Sequence, residues 1–111
     1  MGSGSAMEAL RITTERGDGW YRVVPVGDVD IAVAYQLGTA IMAVAGSTVV
    51  VDLSGVTFID ASGVAALVDA QRQVEAGGSR MELRGAQGIV RRVFEIVGLQ
   101  DWLTDEPAPT G

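Results

Sequence analysis

At 111 residues the chain is long enough for one domain with a core of its own, and its hydrophobic content of 48% is in the globular range. It contains no cysteine or histidine, and all eight basic residues are arginine. These absences exclude disulfides, thiol or imidazole catalysis and lysine-dependent chemistry within the chain. The net charge of −6 disfavours nonspecific binding to nucleic acid or anionic membranes.

The sequence predicts a single domain in the cytoplasm. We find no apolar run long enough to cross a bilayer and no signal-peptide pattern, and the lack of cysteine fits a reducing compartment. Residues 1–6 are expected to be a vector-derived or flexible lead, residues 7–105 the domain, and residues 106–111 a disordered tail. No cofactor and no metal ion is expected.

The domain is predicted to open with a β-hairpin. Residues 10–16 and residues 20–26 both alternate loosely between apolar and polar side chains, and the glycine-rich segment 17–19 between them favours a tight turn. These two strands should pair antiparallel. Because Pro25 has no N–H, the end of the second strand is expected at a sheet edge or outside the ladder.

A helix is predicted next. Residues 27–30 indicate a turn, in which Asp30 is a good N-cap for a helix over residues 31–45. Gly46 is expected to close that helix. Its core stripe, read from the helical spacing, is Val33, Ala34, Leu37, Ile41 and Val44.

The centre of the chain predicts a buried strand and an amphipathic helix. Residues 48–53 are predicted as a strand, because the short apolar, β-branched run that ends at Asp52 favours a strand covered on both faces. The helix is expected to begin at Ser62 or Gly63 and to end before Gly77. Its inward positions are Val64, Leu67, Val68, Gln71 and Val74.

A strand and a third helix complete the pattern. Residues 80–84 alternate as a strand, and residues 88–97 have helical periodicity with a stop at Gly98 and a hydrophobic contact from Leu99. Residues 101–103 should pack back on the core. The apolar stripe of the third helix is predicted as Ile89, Val90, Val93, Phe94 and Val97.

The predicted order is therefore β-β-α-β-α-β-α. Strands that alternate with helices imply parallel pairing through right-handed crossovers, whereas the hairpin adds an antiparallel pair. The fold class is α/β, a small mixed sheet with helices packed on it.

The candidate site lies around Ser62. Its hydroxyl is predicted at the positive end of a helix, near the carboxylate of Asp60, where a phosphate can be attached or recognised. Simpler interpretations remain: Ser62 as an N-cap, Asp30 as another, and Asp52 and Asp60 as acids that bond local backbone N–H groups. Asp52 and Asp60 could form a carboxylate pair, and no other feature of the sequence supports a catalytic site.

The chain resembles the STAS domains of bacterial anti-sigma factor antagonists. Residues 27–30 resemble the G-x-L-D segment before the family's first helix, and residues 50–60 its central strand and loop. Asp60-Ala61-Ser62-Gly63 resembles the D-S-S-G or D-S-T-G signature, in which the residue before glycine is phosphorylated. Ser62 takes that position, while Ala61 replaces the first hydroxyl. The resemblance covers residues 8–104, including the closing helix and its glycine-leucine stop.

The resemblance implies a switch that regulates sigma-factor-dependent transcription. The unmodified protein would bind an anti-sigma factor and free the sigma subunit. The anti-sigma factor, which in this family is often an ATP-dependent kinase, would phosphorylate Ser62, and a phosphatase would reverse the modification. The partner-binding residues implied are Asp30, Asp60, Ala61, Ser62, Gly63 and Val64. The protein would be a stress-response regulator that is not an enzyme, does not bind nucleic acid and is a monomer or weak homodimer.

Three alternatives stand beside this interpretation. In the first, the chain is a non-switching STAS adaptor of a lipid-transport ATPase or a stress-signalling complex, and Ser62 is only an interface residue or a helix cap. In the second it is a small nucleotide-binding or hydrolytic domain, although no phosphate-binding lysine or loop is present. In the third it is a dimerisation module.

Overall fold

The structure, a computed structural model, describes residues 9–105. The lead predicted over residues 1–6 and the tail over residues 106–111 lie outside them. No helix among the described residues is long and apolar enough to cross a membrane. The elements are β1 (Arg11–Arg16), β2 (Trp20–Val29), α1 (Ile31–Met42), β3 (Thr48–Asp52), β4 (Val56–Ile59), α2 (Ala61–Ala76), β5 (Met81–Arg84), α3 (Gly88–Ile96), a 3-10 turn (Gln100–Trp102) and β6 (Leu103–Thr104).

The strands form one mixed sheet, as predicted. Its order is β1-β2-β3-β5-β6, and β4 pairs with β2 off this path. The β1–β2 hairpin is antiparallel, and the other pairings are parallel. Because β2 and β4 are parallel, their carboxyl ends lie at the same edge, and the helix that follows each strand begins there.

Strand β2 is longer than predicted because it changes neighbours. It pairs with β3 over Trp20–Val23 and with β4 from Gly27 onward. Pro25 is opposite Ile12 in the pairing with β1 and lies between the two parallel pairings, so its missing N–H breaks neither parallel ladder. The prediction allowed an edge position or a place outside the ladder: Pro25 lies outside both parallel ladders, but β2 is not an edge strand. The turn predicted at residues 27–29 was wrong, since they belong to β2.

Two short strands were missed, and one helix end was misplaced. Strand β4 has four residues with an exposed pair at its centre, and β6 has two residues, so neither has enough alternation to be recognised. Helix α1 ends at Met42 with Ala43 as C-cap, and Gly46 therefore does not close it.

The core lies between the sheet and the helices. All five predicted inward positions of α2 are buried. In α3 the stripe is narrower than predicted, because Val90 and Phe94 are buried whereas Ile89 and Val97 are exposed. The predicted glycine stop of α3 is present: Leu99 N donates to Phe94 O, and Leu99 packs against the core. Trp102 and Leu103 also pack there, as expected.

The other face of the sheet carries a network of ion pairs. Arg22 pairs with Glu15 and lies 3.8 Å from Asp52, while Glu82 pairs with both Arg80 and Arg84. Between the two groups is Val50, whose neighbours in the ladder are Arg22 and Glu82. These ion pairs join three arginines to three acids, and the formal charges of these six residues cancel.

Candidate functional site

Two aspartates begin the two neighbouring helices in the same way. After a register shift between Gly27 and Asp28, strands β2 and β4 remain paired to their last residues, Val29 and Ile59, and the next residue of each strand is a helix N-cap. Asp30 Oδ1 accepts from Ala32 N at 3.0 Å and from Val33 N at 3.2 Å. Asp60 Oδ1 accepts from Gly63 N at 2.8 Å. Ser62 is therefore not the cap of α2, and the simpler interpretation of this serine was wrong.

Gly63 brings α2 close to the ends of both strands. A Cβ atom built on Gly63 would lie 2.7 Å from Ile59 Cγ1 and 2.8 Å from Val29 O, closer than side-chain atoms come in proteins. Any larger residue would push the helix away from the sheet edge. The glycine of the signature is thus required here by space and not by an unusual backbone angle.

The predicted partner-binding residues divide into interior and surface positions. Val64 has no exposed surface, and Gly63 has no side chain and is buried, so neither residue presents a side chain to a partner, and their assignment to a binding surface is corrected. Ala61 and Ser62 are exposed, and Asp30 and Asp60 are partly exposed. Within residues 9–105 the hydroxyl of Ser62 makes no hydrogen bond, so it is open to solvent and to a partner.

The surroundings of Ser62 are acidic. Asp30 and Asp60 flank the start of the two helices, and neither forms an ion pair within the described range 9–105. The first turn of each helix is supplied with a carboxylate that compensates its positive end. A second negative group at Ser62 would gain from the same helix terminus but would be opposed by these two carboxylates.

Ser62 also lines a hollow between α1 and α2. This hollow has a volume of about 630 Å³, and Ile31 and Tyr35 of α1 and Ala65 and Asp69 of α2 line it with Ser62. The side chains of Ile31 and Tyr35 are 73% and 74% exposed. The sequence reasoning missed these two residues, although α1 gives a signal: it contains no charged residue.

Asp52 serves the end of β3 and is not joined with Asp60. Its Oδ1 accepts from Ser54 N at 3.0 Å and from Ser54 Oγ at 2.7 Å, which fixes the turn after the strand. Asp60 instead caps α2. The two carboxylates have separate structural partners, and no group of acids in the described part of the chain could hold a metal ion.

Comparison with known proteins supports the resemblance seen in the sequence. A family model described as "Mlab, STAS domain" matches residues 15–105. An anti-sigma F factor antagonist from Lysinibacillus sphaericus is 31% identical over 70 residues, which span 63% of this chain and 60% of that protein.

Solved structures share the fold. An anti-sigma factor antagonist from Mycobacterium paratuberculosis has a TM-score of 0.76 and 25% identity, over 89% of this chain and 86% of that one. The antagonist SpoIIAA in its unphosphorylated form has a TM-score of 0.72 and 24% identity, over 86% and 88% of the two chains. Its phosphorylated form, from Bacillus, has a TM-score of 0.64 and 24% identity, over 88% and 91%. The STAS family model covers most of the length of this chain, and the chain therefore belongs to the STAS domain family.

Proposed function

We propose that the chain is an anti-sigma factor antagonist that phosphorylation of Ser62 switches off. The observation that carries the proposal is the position of this hydroxyl: exposed, without a hydrogen bond among the described residues, and lining a hollow rimmed by exposed apolar side chains. The relatives named above are anti-sigma factor antagonists, and one of them is known in phosphorylated form. The protein acts by binding and is not an enzyme.

The unmodified surface suits a close-packed protein contact. Ser62 and Ala65 are small and Ile31 and Tyr35 are apolar and exposed, so a partner covering this hollow would remove apolar area from water. An anti-sigma factor held there in the cytoplasm would release its sigma factor for transcription. A serine kinase, which can be the anti-sigma factor itself, and a phosphatase would set the state of Ser62.

A phosphate on Ser62 would disfavour that contact without disturbing the fold. It adds roughly −1.5 to −2 charge. Because Ser62 is exposed in the first turn of α2, the protein alone accommodates the group in water. Under a partner, the same charge would lose its hydration beside Asp30 and Asp60, and a penalty of a few kcal/mol follows.

The test begins with a pull-down from the native cytosol and mass spectrometry, which identifies the bound anti-sigma factor and any modified serine. Binding of that purified factor is then compared for the wild type and Ser62→Asp, with Ser79→Asp, beyond the other end of α2, as a control of equal charge. We expect at least tenfold weaker binding for Ser62→Asp alone, with unchanged far-UV circular dichroism. Ser62→Ala should bind normally and accept no phosphate.

Equal binding by the wild type and Ser62→Asp would overturn the switch. If the retained partner were a transporter ATPase and no kinase modified Ser62, the non-switching adaptor would be the correct function. Ala61 is the feature that favours this second candidate, because a hydroxyl of the family signature is lost there.

A further inference from the structure

Helix α1 is a surface helix without a charged side chain. Its sequence is IAVAYQLGTAIM, and of its apolar and aromatic residues Ile31, Tyr35 and Met42 are 73%, 74% and 42% exposed. Surface helices normally turn charged or polar residues to water, and an exposed apolar stripe marks a contact with another molecule. The exposed side of α1 thus has the character of an interface.

The stripe borders a groove that extends well beyond Ser62. Helices α1 and α2 run side by side in the same direction, since Ile31 and Ser62 line one hollow and Met42 and Gln73, about three turns further along each helix, line the next. The second hollow has a volume of about 370 Å³. Both are lined by Ala34, Tyr35, Ala66 and Asp69.

The groove is thus continuous, with a shallow floor and a length of about 16 Å. Its floor consists of small residues where the helices approach each other, namely Ala34, Gly38, Ala66 and Ala70. About three turns of an α-helix span the same length.

One carboxylate stands at the middle of this groove. Asp69 lines both hollows and is exposed, its Oδ2 accepts from Gln73 Nε2 at 2.8 Å, and it has no ion pair within residues 9–105. Arg72 also lines the hollow that contains Ser62, but its guanidinium group lies over the ring of Trp102, 5.3 Å from the ring centroid, and no ion pair joins it to Asp69 within residues 9–105. Asp30 and Asp60 add negative charge at the Ser62 end. The groove therefore complements an apolar segment that carries a positive side chain.

We propose that the groove between α1 and α2 binds an amphipathic helix of the anti-sigma factor. Tyr35 is the apolar anchor, and Asp69 pairs with a lysine or arginine of that helix. The inference rests on the proposed function, because it assigns the same partner to a larger surface. Two roles are thereby assigned to different residues. Contacts in the groove provide most of the binding affinity, and phosphorylation of Ser62, at one end of the groove, weakens binding.

The test uses the chain of 111 residues and the purified anti-sigma factor that it binds. Tyr35→Ala should weaken binding about thirtyfold or more, as truncation of a buried aromatic anchor does. Ile31→Ala should weaken it several-fold, whereas Ile96→Ala, at a similarly exposed isoleucine on α3, should not. Because all three side chains are exposed, urea denaturation should show equal stability.

Charge complementarity is tested through the salt dependence of binding. Asp69→Asn should weaken binding three- to tenfold at low salt and make the dissociation constant less sensitive to salt. The control Glu75→Gln removes the same charge from α2 outside the groove and should leave both quantities unchanged.

The outcomes separate this inference from the function on which it rests. If Ser62→Asp weakens binding but the Tyr35, Ile31 and Asp69 variants bind like their controls, the groove is not the docking site and the function stands. If no anti-sigma factor binds, the proposed function fails and the docking assignment falls with it. If the wild type and Ser62→Asp bind equally, the switch fails, and the Tyr35, Ile31 and Asp69 variants still decide whether the partner docks in the groove.

Discussion

Gly63 lies so close to Val29 that a Cβ atom on the glycine would be 2.8 Å from the carbonyl oxygen of the valine. Gly63→Ala must therefore move α2 away from the strand ends. We expect a loss of about 1–3 kcal/mol in the free energy of unfolding, as in other overpacked sites. The measurement is urea denaturation. Gly46→Ala is the control, because open space surrounds that position, and equal stability of the two variants would refute the close contact.

The cap of α2 predicts a contrast between two neighbouring residues. Asp60→Ala removes the acceptor for Gly63 N and should lower stability by about 1 kcal/mol, and Asp30→Ala should do the same for α1. Ser62→Ala should leave stability nearly unchanged, since its hydroxyl bonds no described group. Thermal or urea unfolding of the three variants checks the assignment, and a larger loss for Ser62→Ala would contradict it.

Gln71 is a buried amide whose two polar atoms have different surroundings. Its Nε2 donates to Met81 O at 2.7 Å, whereas Oε1 has no partner among the described residues. Gln71→Glu would place a carboxylate against that carbonyl, and burial would raise its pKa. Only the protonated form can donate to Met81 O, so the folded state holds a proton that the unfolded state releases above about pH 4.3.

This difference in proton binding sets the direction in which the stability of the variant changes with pH. The Gln71→Glu variant should be nearest to wild-type stability below about pH 4, and its deficit should grow as the pH rises towards neutrality. The measurement is the difference in unfolding free energy from wild type at several pH values. A deficit that is constant with pH would show that the new carboxyl group is not buried in this environment.

The end of α3 gives a fourth prediction. Gly98 has a φ of +76°, and its N–H and that of Leu99 bond the last carbonyls of the helix. Gly98→Ala must adopt a left-handed conformation and should cost about 1 kcal/mol of stability, although open space surrounds the position. Comparison with Gly46→Ala by urea denaturation isolates the backbone effect, because Gly46 does not have a positive φ.

The regular parts of the fold could be predicted because their periodicity is complete. In α2 every predicted inward residue is buried, since sixteen residues give several repeats of the helical spacing. Strand β4 has four residues, too few for a period to show. Strand β2 can continue through Pro25 because its neighbour changes from β3 to β4 near that residue, and the sequence around Pro25 does not indicate which strands lie beside it.

The sequence signature located the candidate site, but the role of each residue within the site became clear only from the structure. Asp60 and Ser62 are both good capping residues, and sequence alone could not say which of them bonds the helix N–H. Val64 and Ala65 are both small apolar residues that follow Gly63, yet Val64 is buried and Ala65 is exposed. Tyr35 lies outside the predicted core stripe of α1, whose members Ala34, Leu37 and Ile41 are buried, but the hollow that Tyr35 lines with Ser62 depends on how α1 and α2 pack together, which the spacing does not define.

The balanced network of ion pairs on the open side of the sheet has an electrostatic consequence. Since its arginines and acids cancel, the whole excess of −6 belongs to residues elsewhere in the chain, including the aspartates at the helix starts and in the groove. The network therefore adds no net charge to its side of the sheet, whereas the carboxylates of Asp30, Asp60 and Asp69 lie at the starts of the two helices and in the groove between them. A positively charged group that approaches by diffusion is attracted by these three carboxylates and not by the network, and added salt weakens that attraction.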